Sequence, residues 1–247
     1  MKISITAASQ VGCVRRNNED MVLVNDKFIR NGKQWTMADL SLQDRYLIAL
    51  ADGMGGHNSG EVASSDVLHN LQFFFGDLPS GLSSGDFDEA IIEWLNSINM
   101  IISSKGKSDT RYRDMGTTLV ALAYYCHDFY WMNCGDSRVY RLDDDGLQQL
   151  STDHSLTNLT GEKTHKGVVT NCIGGGCQTS YIDITKCTEL VKPGDVWMLC
   201  SDGLTDMVDD ISLGQLLKEG ADASRLCDMA VSAGGYDNVS VCVIKIV

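Results

Sequence analysis

Proline is almost missing from this chain: Pro79 and Pro193 are the only two among 247 residues. With 24 glycines and no repeat period, that scarcity argues against a collagen-like, Pro-rich or disordered polymer. No run reaches about 18 uninterrupted apolar residues, so no transmembrane helix and no membrane partner are expected. The first twenty residues contain no apolar core, so no secretory leader is expected. Positive charge is in deficit, 20 Lys+Arg against 33 Asp+Glu, a net charge of −13. Such a surface repels a phosphate backbone, which removes nucleic acid from the expected partners while leaving room for a local basic pocket. The nine cysteines are odd in number and contain no CxxC pair. Cys172 and Cys177 stand five apart, which is not a zinc-knuckle spacing. Most of the others fall in apolar strand-like runs, where a thiol behaves as a small hydrophobe. A reducing cytoplasm without a disulfide framework is the expected setting.

What is present is a globular balance, 43% hydrophobic and 21% charged, in a chain long enough for a sizeable core. Alternating or β-branched apolar runs at 1–8, 21–25, 46–51, 117–125, 129–134, 137–142, 181–190, 196–200 and 239–247 predict strands. DDDG at 143–146 predicts a hairpin turn, and KPGD at 192–195 another turn. Helical spacing predicts a helix over 60–75, with Val62, Ala63, Val67, Leu68, Leu71, Phe74 and Phe75 on one face. A second is predicted over 87–102 from Phe87, Ile91, Trp94, Leu95, Ile98 and Ile102, and a final pair over 212–219 and 223–233. Strand runs with segregated helices indicate an α+β layered fold rather than a doubly wound parallel sheet. With no long linker, one domain over 1–247 is expected.

Acidic residues recur at the ends of the apolar runs, each beside Gly or Asn: Glu19 after Asn18, Asp52 before Gly53, Asp202 before Gly203, and Asp237 before Asn238. A carboxylate at a strand end can point out of the sheet, and an adjacent Gly lets a carbonyl approach a ligand. Should these ends converge, the uncompensated carboxylates repel and require cations. All-oxygen donors favour hard Mg2+ or Mn2+, and two such ions can activate a water against a phosphoryl centre, with Arg15 forking onto the free phosphate oxygens. Each feature has a plainer reading. A lone Asp-Gly is ordinarily a turn, and a lone Arg a solvated charge. DGMGG also lacks the GK[ST] ending and the GxGxxG spacing of nucleotide loops.

Together the segments resemble the metal-dependent protein phosphatases of the 2C type, the compact bacterial members in particular. RRNNED at 15–20, ADGMGGH at 51–57 with GEVAS at 60–64, MGTT at 115–118, NCGDSRVY at 133–140, TDHSL at 152–156, LCSDGLTD at 199–206 and GYDNVS at 235–240 follow that family's order. The resemblance implies a four-layer α/β/β/α sandwich with two central, mostly antiparallel sheets, the metal centre at one end. It implies hydrolysis of phosphoserine and phosphothreonine in proteins by a metal-bridging hydroxide, without a phosphoenzyme, opposing a bacterial-type Ser/Thr kinase, in a cytoplasmic monomer. Asp52 matches the carboxylate bridging two Mn2+ or Mg2+ ions. Glu19 and the Gly53 carbonyl match ligands of one ion, and Asp202 and Asp237 ligands of the other. Asp20 matches a carboxylate supporting a metal-bound water, and Arg15 the phosphate-binding arginine. Asp114 is the local candidate for holding a weak third metal. The leaving alkoxide takes its proton from His57 or from a metal-bound water, and His57 can equally serve only to tie down its loop. His154 is assigned to structure, and Asp136 to buttressing a hairpin near the site. After DHSL only 157–169 precede the VTNCIGG segment at 169–175, which carries Asn171 where the family has Arg, so a shortened flap and a more open site with little intrinsic peptide preference are expected. Two other readings stand beside this one: a pseudophosphatase that keeps the fold as a binding module, and a dimetal hydrolase of another phosphoester such as a nucleotide.

Overall fold

The computed structural model describes residues 1–55, 59–162 and 167–247. In chain order these form β1 (Lys2–Gln10), β2 (Met21–Val24), β3 (Lys27–Ile29), β4 (Gly32–Asp39), β5 (Arg45–Ala51), β6 (Gly53–Met54), α1 (Gly60–Asp77) and α2 (Ser84–Ser108). There follow β7 (Gly116–Thr117), β8 (Leu119–Tyr125), β9 (Asp128–Cys134), β10 (Arg138–Asp143), β11 (Gly146–Gln149), α3 (Leu156–Thr160), β12 (Ile173–Gly174) and β13 (Asp183–Lys186). The last elements are β14 (Val196–Cys200), α4 (Asp202–Thr205), α5 (Asp210–Lys218), α6 (Ala223–Ser232) and β15 (Val239–Ile246).

Strand periodicity sorts the side chains into layers. In β5, Leu47, Ala49 and Ala51 face one way and join α1 and α2 in a core containing Leu68, Leu71, Trp94 and Ile98. Tyr46, Ile48 and Leu50 of the same strand face the other way, into a core with Ile5, Trp197, Leu199 and Ile244. In β15, Ile244 and Ile246 enter that middle core, whereas Val239, Val241 and Val243 pack against Leu213, Leu226 and Ala230 of α5 and α6. Helix, sheet, sheet and helix thus stack as four layers, the predicted sandwich. One sheet runs β11-β10-β14-β15-β1-β4, the other β13-β9-β8-β5-β2-β3, and a small third sheet runs β12-β7-β6. Every pairing is antiparallel.

Among the elements that differ from the sequence reading, three have a plain physical reason. β4 was not expected, because GKQWTMAD lacks an apolar run; it is an edge strand with Trp35 and Met37 exposed. The run 181–190 yields only β13, because the chain turns through a 3-10 segment at Thr188–Leu190, where the Thr188 hydroxyl accepts from Phe129 N–H and donates to Asp128. α2 extends to Ser108, beyond its apolar stripe, where Lys105 pairs with Asp66 of α1 at 2.6 Å. The DDDG hairpin forms as expected, joining β10 to β11. Of the expected flap, residues 163–166 lie outside the described residues; the rest is the single turn of α3 and a bridge between Ser155 and Val169.

Candidate active site

Asp52 leaves β5, a buried central strand, at the point where the chain crosses into the small sheet. Its backbone is clamped by the MGTT segment. The Thr117 hydroxyl and the Thr118 N–H donate to the Asp52 carbonyl at 2.8 and 2.9 Å, and Asp52 N–H donates to the Thr118 hydroxyl at 3.1 Å. Thr118 is tied to Ser137 of the GDSR segment at 2.7 Å. The next residue, Gly53, has no room for a side chain: a Cβ there would lie 2.3 Å from the Gly60 carbonyl and 2.5 Å from that of Glu19. A Cβ on Gly60 would in turn meet Glu19 Oε2 at 2.7 Å. These two glycines let the Glu19 carboxylate lie against the Gly53 backbone, so the pair expected to serve one ion is brought together.

Asp20 is buried beneath them. Its Oδ2 accepts from the Ser201 hydroxyl at 2.9 Å, while its Oδ1 is buried with no hydrogen-bond partner. Ser201 follows β14 and, as the residue before α4, places Asp202 at the start of that helix. Asp237 precedes β15 and accepts from Arg15 Nη2 at 2.6 Å. Asn238 locks this end of the site. Its amide donates to the Val11 and Asn17 carbonyls at 3.0 and 2.9 Å, and its Oδ1 accepts from Glu19 N–H at 2.8 Å.

The electrostatics show that these carboxyls share one region. Burial, then repulsion from Asp202 and Asp237, pushes Asp20 up to about 7 against the hydrogen bonds from Ser240 and Ser201. Asp52 is raised well above the carboxylate range by burial and by Asp20, Asp202, Asp136 and Asp237. Asp202 is raised to about 6 by burial, Asp237 and Asp206, with Asp52 and Arg15 opposing. Burial raises Glu19 too, with Arg15 opposing. Arg15 is itself raised by its bond to Asp237 and by the Glu19 and Asp52 charges.

The predicted Arg15, Glu19, Asp20, Asp52, Gly53, Asp202 and Asp237 therefore meet at one end of the sandwich. Asp114 lies in the loop before β7. Asp114 is exposed, at a left-handed φ of 59°, and its carbonyl lies 3.5 Å from where a Cβ on Gly55 would stand. His57 lies outside the described residues. Among the described residues, no three His, Cys, Asp or Glu side chains are arranged as a ready metal-binding group. Instead Asp52 hydrogen-bonds Asp202, and Arg15 holds Asp237. The oxygen-only donors and the surplus negative charge suit hard divalent cations.

Two further residues belong here. Asp136 is buried and raised to about 7 by burial and by Asp202, so it stands in the cluster as well as in its hairpin. Its position after a Gly at a strand end was the available signal. Arg30 donates to the Asn18 and Glu61 carbonyls at 2.7 and 2.9 Å and supports the loop behind Glu19; an isolated Arg gave no such signal. His154 is structural, as expected. It accepts from Gly135 N–H at 3.1 Å and bonds Asn171 at 2.8 Å and Asp183 at 3.0 Å. A cleft of about 590 Å3 opens beside Asp202, lined by Arg138, Asp153 and Asn158.

This fold gathers a cluster of strand-end carboxyls at one end, a donor set that suits hard cations. The family model for protein phosphatase 2C matches residues 36–230, and the chain belongs to that family. It is 32% identical over 251 residues to the serine/threonine protein phosphatase PstP of Mycobacterium tuberculosis, covering 98% of this chain but 44% of that protein. It is 31% identical over 258 residues to the protein phosphatase PhpP of Streptococcus pneumoniae, covering 98% and 97%. The crystal structure of the PstP catalytic domain in complex with two manganese ions superposes with a TM-score of 0.75 at 30% identity, over the whole of both chains. The S. agalactiae serine/threonine phosphatase shares the fold with a TM-score of 0.82, covering 99% of this chain and 100% of that one.

Proposed function

We propose that residues 1–247 act as one catalytic domain that hydrolyses phosphoserine and phosphothreonine in proteins, using two Mn2+ or Mg2+ ions and reversing the work of a Ser/Thr kinase. The observation that carries this reading is the convergence of Glu19, Asp20, Asp52, Asp202 and Asp237 with one arginine, Arg15, at a single pole. The donor set fits the ions: all its atoms are hard oxygens, the carboxyls are starved of positive charge, and one buried oxygen, Asp20 Oδ1, has no partner.

In this reading Glu19, Asp52 and the Gly53 carbonyl would hold one ion, and Asp52 with Asp202 and Asp237 would hold the other. Bound there, the ions lower the pKa of a water and neutralise phosphoryl oxygens. The chain's own residues do the rest. Arg15, held on Asp237 at 2.6 Å, would present its fork to the phosphate oxygens. Asp20, anchored by Ser201, uses Oδ1 to orient the attacking water. Thr117 and Thr118 keep Asp52 from drifting as charge builds on the substrate. The cleft beside Asp202 receives the polypeptide flanking the phosphoresidue. Supporting the protein-phosphatase reading are the family membership and the coverage of PhpP along nearly its whole length.

The test is manganese-stimulated phosphate release from p-nitrophenyl phosphate and from phosphothreonine peptides, with nucleotides alongside. Turnover of the peptides, abolished in Asp202→Ala, is expected. Faster turnover of nucleotides would reassign the substrate, and no turnover at any metal level would leave a binding module.

A further inference from the structure

We propose that Cys172 and Cys177 are a peroxide-responsive dithiol, a modification site at which one disulfide closes across a three-glycine turn. Their Sγ atoms stand 3.6 Å apart. Between them run Ile173, Gly174, Gly175 and Gly176, and the three glycines hold φ of 77°, 58° and 81°. Side chains rarely adopt this left-handed backbone, so the glycines are what fold the two cysteines onto each other. The turn is fixed by Cys177 N–H donating to the Gly174 carbonyl at 2.9 Å and by the Cys172 thiol donating to the same carbonyl at 3.5 Å. The Cys172 sulfur rests on Gly175, where a Cβ would lie only 2.6 Å from it. A disulfide needs the sulfurs about 1.5 Å closer. The space over Gly176, where a Cβ would meet nothing within 4 Å, leaves the second half of the turn free to move.

The two thiols differ in access, as a redox pair should. Cys172 is buried, and burial raises its thiol, which keeps it protonated and shielded. Cys177 is only partly buried and lines a cleft of about 680 Å3 between the end of α2 and the loop before β7, so a small oxidant reaches it first. The Cys177 thiolate attacks one oxygen of hydrogen peroxide. The O–O bond breaks, the sulfur becomes a sulfenic acid, and the other oxygen leaves as water after taking up a proton. Cys172 Sγ then attacks Cys177 Sγ. The S–O bond breaks, and the hydroxyl departs as a second water with the Cys172 proton. Two thiols and one peroxide give one disulfide and two waters. The ring so closed fixes the edge strand β12. That strand pairs with β7, and β7 with β6, which carries Gly53; Gly175 N–H also donates to the Met115 carbonyl at 2.8 Å.

A third thiol sharpens the test. Cys134 lies near enough to Cys172 to raise its thiol, and Asn171 donates to the Cys134 sulfur at 3.5 Å. The full chain is treated with hydrogen peroxide, its remaining thiols are blocked with a maleimide, and it is digested with trypsin. The peptide 167–186 is expected to lose two hydrogens and carry no label at Cys172 or Cys177. The number of thiols titratable in denaturant is expected to fall by two, and dithiothreitol to restore both. In Cys172→Ser, Cys177 should stop at the sulfenic acid and be trapped by dimedone. In Cys177→Ser, Cys172 should stay reduced. A melt of each variant, matching the parent, verifies folding. Labelling of Cys177 after peroxide, its conversion to sulfinic acid without a cross-link, or a bridge to Cys134 would overturn the proposal.

Discussion

Stripping the protein of divalent cations with a chelator and raising the pH from about 5 to about 8 should lower its melting temperature. Asp20 is pushed up to about 7 from an ordinary 3.8. A raised carboxyl binds its proton more tightly in the folded state than in the unfolded one, so the stability it lends is fully present below its unfolded pKa and is lost as pH rises through its folded pKa. Each pKa unit corresponds to about 1.36 kcal/mol, so three units give ~4 kcal/mol, of which ~3 kcal/mol disappears across that pH range. Asp136 and Asp202 shift the same way, to about 7 and about 6. They repel the same neighbours, so their contributions overlap with that of Asp20 rather than add. For a chain of this size ~3 kcal/mol amounts to roughly 10 °C. Scanning calorimetry in chelator across the range reads the slope directly. Saturating Mn2+ should flatten it, since a cation neutralises the carboxylates without protons, and Asp20→Asn should reduce it even in chelator. A chelated protein whose melting temperature stays level or rises toward pH 8 would show that these carboxyls do not crowd one another, and the site would lose its basis.

Arg15→Ala should raise KM for phosphopeptides by about 10- to 100-fold, the scale of a lost charge-assisted bond, while leaving Mn2+ affinity from isothermal titration within about twofold. Loss of metal instead would mean that Arg15 organises the ligands rather than the phosphate. Asn238→Ala removes three hydrogen bonds that tie the loop at 11–19 to the last strand. A loss of ~2–3 kcal/mol in urea unfolding is expected, and a change under ~0.5 kcal/mol would show the clamp to be idle. Asp136→Asn removes one of the repelling carboxyls and should raise the melting temperature of the chelated protein at about pH 8 by a few degrees; a lower value would make Asp136 a buttress only.

The sequence exposed the layers wherever a strand was buried on at least one face, as in 46–51 and 196–200, because alternation there reports burial directly. It hid β4, whose polar edge residues carry no such signal, and the short β6, β7 and β12, whose two-residue pairings are too short for any periodicity to announce. The carboxyls were legible because each sits at a strand end beside Gly or Asn. Their supports were not. Thr117, Thr118 and Asn238 bond to backbone groups and Ser201 to the Asp20 carboxyl, across separations of up to 227 residues, and their chemistry looks the same in any turn. The nearness of Cys172 to Cys177 was equally silent, since it depends on three successive left-handed glycines rather than on spacing alone.

β15 sits in the middle of its sheet, between β14 and β1, with β1 paired to it along eight residues. During synthesis, therefore, the amino-terminal strand waits with its inner flank bare until residue 246 has cleared the ribosome. Asp237 and Asn238 emerge only just ahead of that. A fragment that stops short of residue 237 carries neither the last of the clustered carboxyls nor the central strand of its sheet, so the proposed site can be assembled only after this late-made segment has docked against β1.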